Sequence, residues 1–319
     1  MNMQSQRLFD IFLPENFKQL PEEFLRYKRD GSWLYYSPQV LKEMSFGLAD
    51  HLIQKGYNKN INGNPEEREK VGLICFSRPN WLVVDLATQL SGALLVPLYP
   101  NIVASEIVNI FNETGLRICF VGDMDIYNKI REVREQIPAL EELYVFDAPA
   151  DPSINWRTII TPFSEELEQR VWRNSAAVKA EDVATIIYTS GTTGAPKGVM
   201  LSHKNILSNI KSCSSEVFDK FDLGKNESLS FLPLNHILEK MIMYIYLFNN
   251  FSVTFAQSIE TIADNLQERK PYLFVTVPRL LEKVYEKIIS KGSSLKGIKS
   301  NLFFWAVGLP QKYQLNMPG

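Results

Sequence analysis

Residues 183–198 read VATIIYTSGTTGAPKG. Residues 183–188 form a short apolar run, which is typical of a β-strand buried on both faces. The next ten residues hold three glycines, four hydroxyl side chains and one lysine. Small residues let backbone N–H groups approach an anion closely, glycine reaches positive φ, and hydroxyls add hydrogen-bond donors. The pattern therefore predicts a strand followed by a loop that binds a polyphosphate.

This loop differs from the Walker A loop, which requires Gly-Lys-Ser/Thr. Here Lys197 lies between Pro196 and Gly198. Residues 199–201 are apolar and favour a second strand, and the next helix is expected after Ser202, a typical N-cap residue. We therefore predict that the phosphates lie in a strand–loop–strand hairpin rather than on a helix N-terminus. The alternative is an ordinary surface hairpin that happens to be rich in Gly, Ser and Thr.

Short apolar runs alternate with helical patterns on both sides of the loop. Strands are predicted at 71–76, 94–98, 118–121, 143–146, 183–188, 252–256 and 273–277, and helices at 38–56, 79–92, 105–115, 127–136, 237–248 and 278–290, with a further helix around 303–305. Alternation at this spacing implies right-handed βαβ crossovers. The predicted fold class is therefore α/β, with parallel sheets that carry helices on both faces.

The less regular stretch 147–172 contains prolines and acidic residues and is expected to connect two lobes. This places a first α/β subdomain, with an N-terminal helical segment, at residues 1–180. A second, incomplete α/β subdomain is then expected at residues 181–319, and it begins with the phosphate-binding loop.

Composition narrows the class of protein further. The chain has 319 residues, of which 45% are hydrophobic and 22% charged, and its formal net charge is −2. No global basic field therefore points to nucleic acid as a partner. The three cysteines form no CxxC pair or Cys/His cluster, and the longest apolar run, 241–248, is far shorter than a membrane span. The N-terminus has no apolar signal-peptide stretch, so a cytoplasmic location is expected.

The motif YTSGTTGAPKG at 188–198 resembles the signature phosphate loop of the adenylate-forming superfamily, which includes acyl-CoA synthetases, peptide-synthetase adenylation domains and firefly luciferase. Two further segments resemble those of long-chain fatty acyl-CoA synthetases: SFLPLNHILE at 230–239 and TVPRLLEKVY at 276–285. The similarity covers most of residues 35–310. It implies part of the N-terminal domain of the acyl-CoA synthetase/luciferase-like fold.

The resemblance implies a role for each residue of the loop. The hairpin would bind the β- and γ-phosphates of ATP, Thr192 would ligate Mg²⁺ through its hydroxyl, and Lys197 would balance the charge that develops on the departing pyrophosphate. The residues implied in ATP binding are Thr189, Ser190, Gly191, Thr192, Thr193, Gly194 and Lys197.

His236 matches a histidine that lies near the acyl and adenylate pocket in the family. The resemblance implies that it orients or polarises the acyl carboxylate and does not act as a nucleophile. A buried core histidine is the alternative. Glu239 is either its partner or a solvated helix residue, and both readings stay open. The helix 237–248 is apolar on nearly all sides, so it is expected to be buried, either as ordinary core or beside an acyl tunnel.

The expected activity is ATP-dependent activation of a long-chain fatty acid to acyl-AMP, followed by transfer to coenzyme A. Acyl carrier protein as acceptor, or a non-catalytic nucleotide- or acyl-binding module, are the alternatives. The sequence contains no Tyr-Gly-x-Thr-Glu segment, which the family uses to hold adenine. The chain is therefore expected to be an inactive N-terminal fragment of a longer ligase. Peripheral contact with a membrane is a further expectation, because long-chain acyl substrates partition into bilayers.

Overall fold

The computed structural model describes residues 5–61, 63–148, 151–189, 196–217 and 226–309. The chain divides into two compact units, residues 1–274 and 275–319. The first unit contains two β-sheets, and the second contains two helices.

A six-stranded sheet carries the central apolar strands. Its strands are β3 (Lys70–Ile74), β4 (Leu94–Leu98), β5 (Ile118–Val121), β6 (Glu142–Val145), β7 (Val183–Thr189) and β8 (Lys197–Ser202). Their order across the sheet is β6-β5-β3-β4-β7-β8. Neighbouring strands are parallel except for β8, which runs antiparallel to β7. Strands β3, β4 and β5 are almost completely buried, as expected for parallel strands with both faces covered.

A five-stranded sheet combines an N-terminal hairpin with strands from much later in the chain. Its strands are β1 (Leu25–Arg29), β2 (Ser32–Tyr36), β9 (Glu227–Ser230), β10 (Ser252–Phe255) and β11 (Leu273–Phe274). Their order is β11-β9-β10-β1-β2, and only the β1–β2 pair is antiparallel.

Helices connect the parallel strands. In the first unit they are α1 (Pro14–Phe17), α2 (Pro38–Gln54), α3 (Pro79–Ser91), α4 (Ala104–Thr114), α5 (Met124–Glu132), α6 (Glu165–Ser175), α7 (His203–Val217), α8 (Ile237–Phe248) and α9 (Ile262–Arg269). Short 3₁₀ segments lie at Leu8–Phe12, Pro65–Glu67, Arg134–Gln136 and Trp156–Ile159.

Local sequence signals set several helix ends. The Ser37 hydroxyl accepts a hydrogen bond from the Val40 N–H at 3.2 Å, and Pro38 occupies the first turn of α2. This arrangement satisfies an unpaired N–H at the start of the helix. Helix α3 ends at Gly92, whose φ of 87° lies in the left-handed region that glycine adopts without strain.

The predicted α/β class is confirmed, and the strands at 94–98 and 118–121 have the predicted bounds. The strand predicted at 71–76 ends earlier, at Ile74, and Phe76 is 70% exposed rather than buried. The strand predicted at 273–277 is limited to Leu273–Phe274. The hairpin β1–β2, the strand β9 and the helix α6 were not predicted. The sequences of β1, β9 and α6 are too polar to stand out, and β2, which reads Ser-Trp-Leu-Tyr-Tyr, is short and mostly not buried.

The predicted boundary at residue 180 does not separate the two sheets. Strands β7 and β8 follow that boundary but belong to the sheet of β3–β6, and β1 and β2 precede it but pair with β10. Each sheet contains strands from before and after residue 180, so residues 1–180 and 181–319 do not form separate layers.

Helices α3 and α8 meet at a fully buried polar cluster. The Lys240 ammonium donates to the Asp85 carboxylate at 2.8 Å, and both side chains are 0% exposed. The Tyr244 hydroxyl donates to the other Asp85 oxygen at 2.7 Å, and the Gln89 amide donates to both Asp85 and Tyr244 at 2.8 Å. Each charge is compensated by its partner, as burial requires.

The second unit contains α10 (Pro278–Ser293) and α11 (Ile298–Gly308). The two helices approach closely at Gly292, where a Cβ atom would lie 1.9 Å from a ring carbon of Phe303. Several apolar side chains of this unit are exposed, among them Leu281 and Trp305. Helices α10 and α11 confirm the helices predicted at 278–290 and around 303–305. Among the described residues, no helix is both long and apolar enough to cross a membrane.

Replacing one partner of the buried ion pair is expected to destabilise the first unit strongly. Lys240→Met leaves the Asp85 carboxylate buried without its cation, and we expect the free energy of unfolding to fall by about 3–5 kcal/mol. Urea unfolding followed by circular dichroism measures this.

The double variant Asp85→Leu/Lys240→Met should recover most of the loss. Lys204→Met, which removes a cation from an exposed pair with Glu181, serves as control and should change stability far less. Equal stability of Lys240→Met and the parent would contradict this account.

Candidate functional site

The polyphosphate loop is held at both ends by a β-ladder. Strands β7 and β8 pair from Val183 opposite Ser202 to Thr189 opposite Lys197. The predicted strand–loop–strand hairpin is therefore confirmed for its two strands. Ser190, Gly191, Thr192, Thr193 and Gly194, together with Ala195, lie outside the described residues. Thr189 and Lys197 are both exposed and lie side by side where the loop leaves the sheet.

Side chains of β7 pack closely against β8 at Gly198. A Cβ atom at Gly198 would lie 2.9 Å from the Ile186 side chain and 3.2 Å from the Tyr188 ring, so a larger residue next to Lys197 would force these side chains to shift. Burial and the neighbouring Glu113 carboxylate, which hydrogen-bonds to Tyr188, raise the pKa of the Tyr188 phenol. The phenol therefore stays neutral and links β7 to α4.

Hydrogen bonds hold the other end of the hairpin, where β7 begins and β8 ends. The His203 N–H donates to the Asp182 carbonyl at 3.1 Å, and the buried His203 Nδ1 accepts from the Leu8 N–H at 3.2 Å. Burial lowers the pKa of His203 to about 3, so its imidazole remains neutral and can keep accepting this bond. Ser202 and Asn205 exchange backbone–side-chain hydrogen bonds of 3.0 and 3.1 Å, which confirms Ser202 as the cap of α7.

His236 is the N-cap of α8. Its Nδ1 accepts a hydrogen bond from the Leu238 N–H at 3.2 Å, and the side chain is exposed. A ring nitrogen that accepts carries no proton, so Nε2 is the nitrogen of His236 that can donate in this geometry. The donor lies at the positive end of a helix dipole, and the alternative of a buried core histidine is wrong.

Glu239 is neither a solvated helix residue nor a hydrogen-bond partner of His236 in the described contacts. It is 2% exposed and accepts a hydrogen bond from the Ser230 hydroxyl at the end of β9. Burial raises the pKa of Glu239 to about 8. The carboxyl is thus protonated at neutral pH, and it ties the first turn of α8 to the strand that precedes it.

The carboxyl edges of the two sheets meet near His236. Ser77, which follows β3, donates from its hydroxyl to the Leu232 carbonyl at 2.9 Å and accepts from the Leu234 N–H at 3.0 Å. Strands β3, β4 and β7 are parallel, so the loops after them lie at one edge. The hairpin of Lys197 and the turn of His236 therefore face the same side of the first unit, where parallel sheets bind ligands.

Thr189 and Lys197 could hold the phosphates of a nucleotide, and His236 could donate to a carboxylate. Thr192, the residue for which the resemblance implies Mg²⁺ ligation, cannot be placed because it lies outside the described residues. Within those residues, no group of three or more His, Cys, Asp or Glu side chains is arranged to hold a metal ion.

The sequence patterns did not identify Ser77 or Ser230 as parts of this site. Ser77 lies three residues after β3 and bonds residues more than 150 positions away, whereas Ser230 is the last residue of β9 and bonds Glu239. A serine at or shortly after the end of a strand is a weak signal that could have marked the carboxyl edge.

Two sheets of mostly parallel strands, a Gly/Thr-rich hairpin at the carboxyl edge and a helix capped by His236 are typical of a nucleotide-binding domain. Comparison with known proteins agrees. A family profile described as AMP-binding enzyme matches residues 20–312. The chain belongs to the AMP-binding enzyme family.

Curated relatives and solved structures are consistent with this assignment. The chain is 26% identical to the long-chain-fatty-acid–CoA ligase heimdall of Drosophila melanogaster and 30% identical to the peroxisomal long chain acyl-CoA synthetase 7 of Arabidopsis thaliana. In each case the match covers 87% of this chain, but only 43% and 39% of the relatives' own lengths. A long-chain-fatty-acid-CoA ligase structure from Archaeoglobus fulgidus has a TM-score of 0.67 at 19% identity, covering 90% of this chain and 55% of that one. It shares the fold.

The raised pKa of Glu239 predicts how stability depends on pH. The folded state keeps its proton up to about pH 8, whereas an unfolded glutamate loses it near pH 4.5. The stabilisation from this group is therefore complete below pH 4.5 and is lost as the pH rises toward 8. Glu239→Gln cannot ionise, so its free energy of unfolding should rise relative to the parent across this range, by up to about 1.4 kcal/mol per pH unit.

Chemical denaturation at several pH values measures this difference. Glu22→Gln, an exposed substitution outside the helices and strands, serves as the control and should track the parent at every pH. A constant difference between Glu239→Gln and the parent from pH 4.5 to pH 8 would show that Glu239 ionises normally.

Proposed function

We propose that this chain is part of a longer enzyme that activates a long-chain fatty acid with ATP to acyl-AMP and then transfers the acyl group to coenzyme A. The observation that carries the proposal is the β7–β8 hairpin, which holds Lys197 opposite Thr189 on the side of the first unit that the turn of His236 also faces. The names of the relatives, which are long-chain fatty acid–CoA ligases, support this substrate class.

In the first step a carboxylate oxygen of the fatty acid attacks the α-phosphorus of ATP, and the bond from that phosphorus to pyrophosphate breaks. Negative charge develops on the departing pyrophosphate. The exposed ammonium of Lys197 would balance this charge, and the hydroxyl of Thr189, with the loop residues from Ser190 to Gly194, would donate to the phosphate oxygens. Mg²⁺, which Thr192 is proposed to ligate, would supply further neutralisation of the triphosphate when bound.

His236 would orient the acyl group. Its Nε2–H is available as a donor because Nδ1 is occupied by the cap bond to Leu238. This donor suits hydrogen bonding to a carboxylate or carbonyl oxygen, and the dipole of α8 adds to the attraction for a carboxylate.

The helix α8 also provides an apolar surface near the acyl group. Residues 242–248 of this helix are buried. In the second step the sulfur of coenzyme A would attack the acyl carbon, and AMP would leave. Coenzyme A as acceptor is supported by the names of the relatives, and acyl carrier protein stays the alternative.

A non-catalytic module that keeps nucleotide or acyl binding is the second candidate. It predicts binding of ATP without turnover in any longer form. The cytoplasmic location and peripheral contact with a membrane stay predictions from the sequence.

The proposed reaction is distinguished by its products. The longer protein, incubated with palmitate, Mg²⁺, ATP and coenzyme A, should form AMP, pyrophosphate and palmitoyl-CoA in equal amounts. Chromatography of the nucleotides with isotopically labelled ATP measures this. Omitting palmitate is the control and should abolish AMP formation. ADP in place of AMP would exclude an adenylate intermediate, and bound ATP without either product would favour the non-catalytic module.

A further inference from the structure

The segment between β9 and α8 is an irregular turn that ends at His236. The His236 N–H donates to the Pro233 carbonyl at 2.9 Å and closes this turn. Leu234 lies inside the turn and is only 1% exposed. A buried backbone N–H needs a hydrogen-bond partner. In the described contacts, the partner of the Leu234 N–H comes from a distant part of the chain.

That partner is the hydroxyl of Ser77. It accepts from the Leu234 N–H at 3.0 Å and donates to the Leu232 carbonyl at 2.9 Å, so one side chain bonds the backbone on both sides of Pro233. A hydroxyl suits this position because it has both a proton to donate and lone pairs to accept with. An alanine at the same place could make neither bond.

The six-stranded sheet holds Ser77 itself in place. Ser77 follows the end of β3 by three residues, and Cys75 between them is buried. On its other side, Arg78 donates two hydrogen bonds of 2.6 and 2.8 Å to Asp147, which follows β6. The Ser77 backbone is therefore anchored on both sides by the sheet that also contains β7 and β8. Through Ser77, the turn before His236 is held by the sheet that carries Lys197.

The other described contacts in this region act on residues that follow His236. Glu239 accepts from Ser230, and Lys240 pairs with Asp85, so both hold the helix rather than the turn that enters it. The His236 ring is exposed, and its described hydrogen bond is the one that Nδ1 accepts from its own helix. The orientation of the ring thus depends on the backbone both before and after it, and Ser77 holds the part before it.

We propose that Ser77 is a positioning residue for acyl activation, whose two hydrogen bonds set the orientation of His236. This inference rests on the proposed function, because it assigns Ser77 a role in that reaction. Ser77 acts through the turn and keeps Nδ1 of His236 on its cap bond, which leaves Nε2 available to the acyl group. Catalytic groups must be held within about 0.5 Å of the productive geometry, and a displacement of about 1 Å can lower a rate about 100-fold.

Amide hydrogen exchange of the 319-residue chain, followed by NMR, tests the geometric part of the proposal. The Leu238 N–H donates to Nδ1 of His236 at 3.2 Å, and the Leu8 N–H donates to Nδ1 of His203 at the same distance. Leu8 is therefore an internal control for a backbone N–H that is bonded to a histidine elsewhere in the first unit.

Ser77→Ala removes the acceptor of the Leu234 N–H, so faster exchange at Leu234 would follow from the lost bond alone. The proposal predicts in addition that exchange at Leu238 rises about 10-fold, because the His236 ring loses its fixed orientation, while Leu8 exchanges at the parent rate. Ser77→Thr keeps a hydroxyl and should restore slow exchange at both Leu234 and Leu238.

Ser91→Ala is the matched control for the loss of a bonding hydroxyl. The Ser91 hydroxyl donates to the Thr88 carbonyl at 2.7 Å and accepts from the Ala93 N–H at 3.3 Å, at the opposite end of α3 from Ser77. Its removal should leave exchange at Leu238 unchanged. Exchange at the parent rate at Leu238 in Ser77→Ala would overturn the proposal, and so would an equal rise in Ser91→Ala.

The catalytic part of the proposal is tested in the longer enzyme. Ser77→Ala should lower kcat for palmitate-dependent AMP formation about 10-fold or more and leave the KM for Mg²⁺-ATP unchanged, and Ser77→Thr should recover most of the activity. A kcat equal to the parent in Ser77→Ala would also overturn the proposal. A longer parent protein that forms no AMP would refute the proposed function, whereas exchange at Leu238 reports on Ser77 independently of turnover.

Discussion

The pairing of Thr189 with Lys197 is the constraint on which the candidate site depends. It closes the β7–β8 ladder and brings the two ends of the Gly/Thr-rich loop side by side. Because β7 is itself paired with β4 inside the six-stranded sheet, the position of Lys197 is fixed by the central, buried part of the fold. A single mobile side chain is thereby placed at a defined point on the sheet edge, which is what charge stabilisation of a departing group requires.

The second half of the site depends on how the two sheets are held together. Helix α8 carries His236 at its start and, one turn later, the buried Lys240 that pairs with Asp85 of α3. Ser77 links the same two regions at their edge. A buried ion pair contributes little net stability compared with apolar packing, but separating its partners would leave a charge buried without compensation. We infer that this cluster fixes the position of α8, and therefore of His236, relative to the sheet that carries Lys197.

Much of this architecture can be predicted from the sequence where local residues determine it. Elements that depend on distant contacts could not be predicted. Strand β4 at 94–98 is a continuous apolar run, and α3 ends at a glycine that tolerates positive φ. The local sequence was therefore sufficient to predict both elements. Strand β9 reads Glu-Ser-Leu-Ser and is buried only because tertiary partners satisfy its hydroxyls, among them the carbonyl of Ser252 and the carboxyl of Glu239. The burial of Lys240 in an otherwise apolar helix has the same origin, since its partner Asp85 is distant in sequence. Such contacts between distant residues produce no periodic pattern in the sequence. The pairing of the N-terminal strands β1 and β2 with later strands in one sheet produces no such pattern either.

The most direct test of the account is the affinity of the 319-residue chain for Mg²⁺-ATP, measured by isothermal titration for the parent and for Lys197→Ala. A charge-assisted contact with a phosphate is worth about 1.5–3 kcal/mol, so the account predicts a dissociation constant at least about 10-fold higher for Lys197→Ala. Lys204→Ala, which removes an exposed cation from the start of α7, should bind ATP as the parent does. Equal dissociation constants for the parent and Lys197→Ala, or no binding to either, would contradict a role for this hairpin in holding the triphosphate.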